Sequence, residues 1–136
     1  MQLFEDTNPE VRIADGIRTA KPFGYGTGAG SSVTQATNRT TGVTINALSG
    51  TITTNNASLA AEATAKFTVT NSEVEAGDVV VVSQQSGSNG GGTSVFVTTV
   101  ADGSFQIAVH NGNAAAGTAE TGAILINFAV IKAVSS

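Results

Sequence analysis

The chain reads as an all-β protein: a β-sandwich of jelly-roll type with an extended N-terminal arm. Three observations lead there. From Ser32 onward apolar residues recur with a period of two, in short runs. Clusters of Gly, Asn, Asp and Ser separate these runs at short, even intervals. After the arm only Asn56 to Thr64 could be helical, and it is long enough for one turn or a loop.

The elements follow in order. Residues 1–23 form the arm. It holds seven of the sixteen charges (Glu5, Asp6, Glu10, Arg12, Asp15, Arg18 and Lys21) and both prolines, Pro9 and Pro22. Its apolar residues Leu3, Phe4, Val11, Ile13 and Ile17 are scattered. A short helix from Pro9 to Arg18 is expected, with Asn8 as N-cap, Pro9 in the first turn and Gly16 as a stop. So short a helix is marginal unless it docks on something, either its own domain or a neighbour. Residues 24–31 form a glycine-rich joint. Within it Gly24, Gly26 and Ala29 fit a dinucleotide fingerprint loosely. That fingerprint needs a strand before it and a helix after it, whereas here irregular charged sequence precedes and Ser31-Ser32-Val33-Thr34 reads as strand.

Residues 32–136 form the sandwich domain. Val43, Ile45 and Ala47 alternate with Thr44 and Asn46, and Ile52 sits between Thr51 and Thr53 after an expected Ser49-Gly50 turn. Ala65, Phe67 and Val69 alternate with polar neighbours, as do Phe105, Ile107 and Val109. Each pattern describes a strand with one wet and one dry face. Val79 to Val82 is a continuous β-branched run, which predicts a strand covered on both faces. Ile124, Ile126, Phe128 and Val130 face one way, while Leu125, Ala129 and Ile131 share the other with Asn127. A final strand so apolar on both sides should be central in its sheet or lie in a subunit contact. Ala101-Asp102-Gly103 marks a hairpin. Glu75 to Asp78 and Asn111 to Asn113 are turns, and Ser86 to Gly92 reads as a mobile loop tip. No repeat of fixed period argues for a solenoid or propeller.

Composition narrows the function. Charged residues are 12% of 136, about half the usual share, so Thr, Ser, Asn, Gln, Gly and Ala must cover the surface. Small neutral groups cost less to desolvate than ions, which suits flanks that pack against other protein. The net charge is −4 and the six basic residues are scattered, so no basic stripe exists for nucleic acid. No apolar run approaches the roughly 18 residues that cross a bilayer. The start, Met1 to Asp6, is acidic and lacks the apolar core of a signal peptide. There is no cysteine, so neither disulfides nor thiolate metal sites can form.

Candidates for chemistry are few. His110 is the only histidine and falls on the polar face of its strand, with Asp102 at the strand's other end, too far for a Ser-His-Asp arrangement. Glu73, Glu75 and Asp78 cluster at one turn, with nothing apolar nearby to raise a carboxyl pKa for glycosidase work, and they read as a solvated turn. Their spacing fits no calcium loop. No cofactor, metal or catalytic set is expected. The loop from Gln84 to Gly92 could hold a glycan but offers no aromatic platform.

Whole segments carry a resemblance. Gly26-Thr-Gly-Ala-Gly-Ser-Ser-Val-Thr-Gln-Ala-Thr37, Thr41-Gly-Val-Thr-Ile-Asn46, Phe67-Thr-Val-Thr-Asn-Ser72, Asp78-Val-Val-Val-Val-Ser83 and Asn127-Phe-Ala-Val-Ile-Lys132 resemble stretches of small virion proteins of tailed bacteriophages. The resemblance covers roughly residues 26 to 132 and contains no catalytic motif. It implies a structural virion protein. Among these, capsid cement (decoration) proteins fit best: small, β-rich, often trimeric and often armed at the N-terminus. The implied partners are the major capsid protein and further copies of the chain, as a homotrimer on the capsid exterior. The arm lies outside the resemblance; its isolated apolar residues Leu3, Phe4, Val11, Ile13 and Ile17, with Phe23 and Tyr25, are expected to contact a neighbouring protomer or the major capsid protein. The alternative is a tail-fibre or receptor-binding module that recognises a host glycan through residues 84–92 and 111–120.

Overall fold

The computed structural model describes residues 20, 23–89, 92–114 and 118–133. The arm's expected helix and its anchors Leu3, Phe4, Val11, Ile13 and Ile17 lie outside the described residues. Among those described there is no helix, and eight strands make two mixed sheets of four. They are β1 (Gly30–Thr34), β2 (Val43–Thr44), β3 (Ser49–Thr53), β4 (Thr64–Thr70), β5 (Val79–Ser86), β6 (Thr93–Ala101), β7 (Ser104–Asn111) and β8 (Leu125–Ile131). Sheet A runs β1-β3-β8-β5 and sheet B runs β2-β4-β7-β6. The all-β sandwich expected from the period-two pattern is the fold.

The chain alternates between sheets for its first six strands, so β1 and β3 pair in parallel in one sheet and β2 and β4 in the other. The last two strands then enter the middle of each sheet. In sheet B, β7 pairs antiparallel with β4 and β6; in sheet A, β8 does so with β3 and β5. A jelly roll is built from two Greek keys of antiparallel strands, and the two parallel pairs give this sandwich a different strand order. β8 is central in its sheet, one of the two places that its two apolar faces allowed.

The dry faces meet between the sheets. Phe67 and Val69 of β4, Phe105, Ile107 and Val109 of β7, Ile52 of β3, and Ile126, Phe128 and Val130 of β8 are almost fully buried. Each such side chain contributes roughly 1.5–3 kcal/mol by leaving water. The rings of Phe105 and Phe128 meet across the sheets, with centroids 5.5 Å apart. Val95, Val97 and Val100 of β6 close the side of this core.

Two local expectations give way. Ser49 and Gly50 belong to β3 and form no turn. Gly50 pairs with Phe128, and a Cβ there would meet the Phe128 ring at 2.9 Å and the Ser31 carbonyl at 2.5 Å. The glycine makes room for an aromatic ring, a role that a turn signal imitates in sequence. Val79 to Val82 is also not covered on both faces within the chain. Val80 is buried, but Val79 and Val81 are exposed, because β5 is an edge strand with nothing described over its outer side. The Asp102-Gly103 hairpin stands as expected, with Gly103 at a φ of 74°.

Candidate functional site

One end of the outer face of sheet A, where β5 meets β8, is apolar. Register sets Val79 opposite Ile131 and Val81 opposite Ala129, and period two points all four away from the core. Val79, Val81 and Ile131 are 55%, 49% and 55% exposed. Residues 23–25 form a strap beside the end of β8, before the chain reaches β1. The Tyr25 hydroxyl donates to the Val130 carbonyl of β8, which pins the strap to the sheet. Phe23 (77% exposed) and Tyr25 (46%) stand beside Ala129, Ile131 and Lys132 around an open hollow of about 560 Å³. Thus two of the expected contact residues, Phe23 and Tyr25, lie together on one apolar surface, and the residues expected as a joint include a strap fixed to the body.

Lys132, which borders this surface, is held to the side. Lys132 Nζ donates to Asp78 Oδ2 at 2.7 Å and to the Glu73 carbonyl at 3.0 Å, with Glu75 Oε2 at 3.6 Å. Asp78 also accepts the backbone N–H of Glu75 (2.8 Å) and of Ala133 (3.0 Å). The hydrogen bond from Lys132 and these two N–H groups hold the Asp78 carboxyl down at about 2, while Asp78 raises the Lys132 ammonium above its ordinary value. The expectation of a fully solvated acidic turn is therefore corrected at Asp78, which is buried and fastens the end of β8. Sequence spacing hid this because the partner lies 54 residues away.

A polar cluster lies at the end of the sandwich. Arg39 and Glu120 are both buried. Arg39 does not reach the carboxylate. Its guanidinium donates to the carbonyls of Ala57, Glu120 (3.2 Å) and Gly122 (2.8 Å) and sits 3.4 Å from Thr54 Oγ1. Burial lowers the Arg39 pKa, and the nearby Glu120 charge opposes that. The Glu120 carboxylate is satisfied separately. Oε1 accepts the N–H of Gly122 (2.7 Å) and Asn89 (3.1 Å), and Oε2 accepts the hydroxyls of Thr93 (2.6 Å) and Ser88 (2.7 Å). Desolvation raises its pKa, but together the four hydrogen bonds outweigh that and leave it at about 2.

This cluster knits the loops. Ser88 and Asn89, expected at a mobile loop tip, are tied to Glu120, and Asn89 accepts the Thr121 N–H at 3.2 Å. Gly87 and Gly122 approach so closely that a Cβ on either would overlap backbone of the other segment. The two loops that could have carried a glycan site are thus bound together, and residues 84–92 and 111–120 contain no aromatic side chain. Gln35, Asn71 and Asn111 act similarly. Asn71, for example, donates to the Ala47 carbonyl at 2.8 Å and accepts the Glu73 N–H at 3.0 Å.

The sequence did carry one signal for the cluster. Arg39 stands alone between Lys21 and Glu62, and Glu120 between Asp102 and Lys132, so each is an isolated charge in a neutral stretch. Such a residue is a candidate for burial among backbone groups.

The remaining polar groups do not converge. His110 lies on the outer face of sheet B, with Nδ1 3.0 Å from Thr64 Oγ1. Asp102 accepts the Ala76 N–H at 2.8 Å, in the contact between the β6–β7 hairpin and the turn before β5. Among the described residues no three acidic or histidine side chains gather as metal ligands. No protein-family model matches the chain, and no match was found among curated proteins or solved structures.

Proposed function

We propose that the protein is a structural component of a bacteriophage particle: a capsid decoration protein that binds the major capsid protein lattice and stabilises the head as a homotrimer. The observation that carries this reading is the apolar β5–β8 end of the outer face of sheet A, with Phe23 and Tyr25 at its border and the arm entering there. Exposed apolar surface concentrated on one face is what a protein contact uses. The low charge and the segmental resemblance to small phage virion proteins point the same way. A specific contact needs only about 800 Å² per partner, and repetition over a symmetric lattice multiplies it through avidity. The reading assigns the protein no chemical step and no cofactor. Its place is the capsid exterior.

Counting copies in purified virions by mass spectrometry tests this. A lattice-coating protein is expected in numbers on the order of hundreds per particle. Absence from particles rejects the virion reading. A count in single digits or low tens assigns the chain to the tail and rejects the decoration role.

A further inference from the structure

Of the six large apolar side chains exposed among the described residues, five share one face: Phe23, Tyr25, Val79, Val81 and Ile131. We propose that this face seats residues 1–22 of a second copy of the chain, and that exchange of these segments builds the oligomer. The proposal deepens the assembly role above and rests on its self-association.

Three observations lead to this occupant. The segment joins the body at Phe23, on the rim of the hollow, so every copy carries it to this surface. Its apolar residues fit. The short helix expected from Pro9 to Arg18 is marginal alone, and in extended form Val11 and Ile13, spaced by two like Val79 and Val81 and like Ala129 and Ile131, can both face this pleated surface. The reach favours a neighbour. The chain from Ile13 to Phe23 spans about 33 Å when extended. The seat covers two strands about 5 Å apart, close to Phe23, so in its own copy most of that length would have to loop out. A body of about 100 residues has a radius of gyration of about 13 Å and hence a diameter of about 34 Å, so the same length crosses to an adjoining copy. Passing the segment head-to-tail closes a ring when the rotation allows it.

The test uses the free protein. Light scattering coupled to size exclusion is expected to give a multiple of the monomer mass for the full chain. It should give the monomer mass for a chain lacking residues 1–22 and for Val81→Asp, each with an unchanged far-ultraviolet spectrum. Thr68→Asp, on the exposed outer face of sheet B, should keep the oligomer. Because the chain has no cysteine, Ile13→Cys chains mixed with Val81→Cys chains should form a mixed disulfide on oxidation. That readout serves if a truncated chain fails to fold. A monomeric full chain, an oligomer that survives deletion of residues 1–22, or no mixed disulfide overturns the proposal. None of these readings involves the virion, so failure here and failure of the decoration role are separate results.

Discussion

Replacing Glu120 with glutamine should remove a large part of the protein's acid sensitivity at modest cost near neutral pH. The carboxylate is fully buried, and its ordinary value of 4.5 is lowered to about 2. A group lowered in the folded state contributes stability that is fully present above its unfolded value and is lost as pH falls through the folded one. The window for Glu120 therefore opens near pH 4.5 and closes near pH 2. At 1.36 kcal/mol per pH unit the difference corresponds to about 3 kcal/mol. Solvent screening near the loop surface reduces the expected contribution to about 1–2 kcal/mol.

The geometry says which variant to make. Both N–H donors meet Oε1 and both hydroxyls meet Oε2. A glutamine carbonyl can keep the N–H pair while its amide faces the hydroxyls, which rotate to accept. Glu120→Gln should then cost about 1–2 kcal/mol at pH 7, the difference between charge-assisted and neutral hydrogen bonds. Glu120→Ala strands all four donors and should cost about 3 kcal/mol or more. Urea midpoints followed by circular dichroism from pH 7 down to pH 2.5 give the answer. The wild type and Glu120→Gln curves should converge as pH falls below 4.5, with the Asp78 contribution common to both. Curves that stay parallel over that range would refute the argument.

Two further outcomes follow from the structure. Gly122→Ala should lower stability by roughly 1–3 kcal/mol or more, because its Cβ would overlap the Gly87 carbonyl in backbone that cannot step aside; an unchanged melting temperature would contradict the close approach. Lys132→Met should let the Asp78 carboxyl drift up from about 2 toward its ordinary value, since the leading cause of its lowering is the bond from Lys132. Its titration by NMR should keep part of the depression, because the N–H groups of Glu75 and Ala133 remain.

Much of the fold was legible because a sandwich strand writes itself in period two. Ala65, Phe67 and Val69 fall on one face of β4, and Phe105, Ile107 and Val109 on one face of β7, as alternation requires. The apolar content of β8 left it either central in its sheet or in a subunit contact, and it is central. Alternation says which side of a strand is dry, but not which strand lies beside it. For that reason the parallel pairs β1/β3 and β2/β4, and the entry of β7 and β8 into the two sheet centres, were not readable. Gly50 misled because making room for the Phe128 ring and making a turn call for the same residue.

The candidate surface divides in the same way. Composition by itself determined a chain with few charges, no thiols and one histidine. The sequence also singled out Phe23 and Tyr25. Only the tertiary structure gathered them with Val79, Val81, Ala129 and Ile131, because that assembly depends on β5 being an edge and on the β5–β8 register. Likewise Asp78 and Lys132 are 54 residues apart, and Glu120 lies 32 positions from Ser88. Local residue pattern fixes which side chains turn inward; meetings across such distances exist only once the strands have been placed, since hydrogen bonds and apolar contacts act over a few ångströms of space, whatever the separation along the chain.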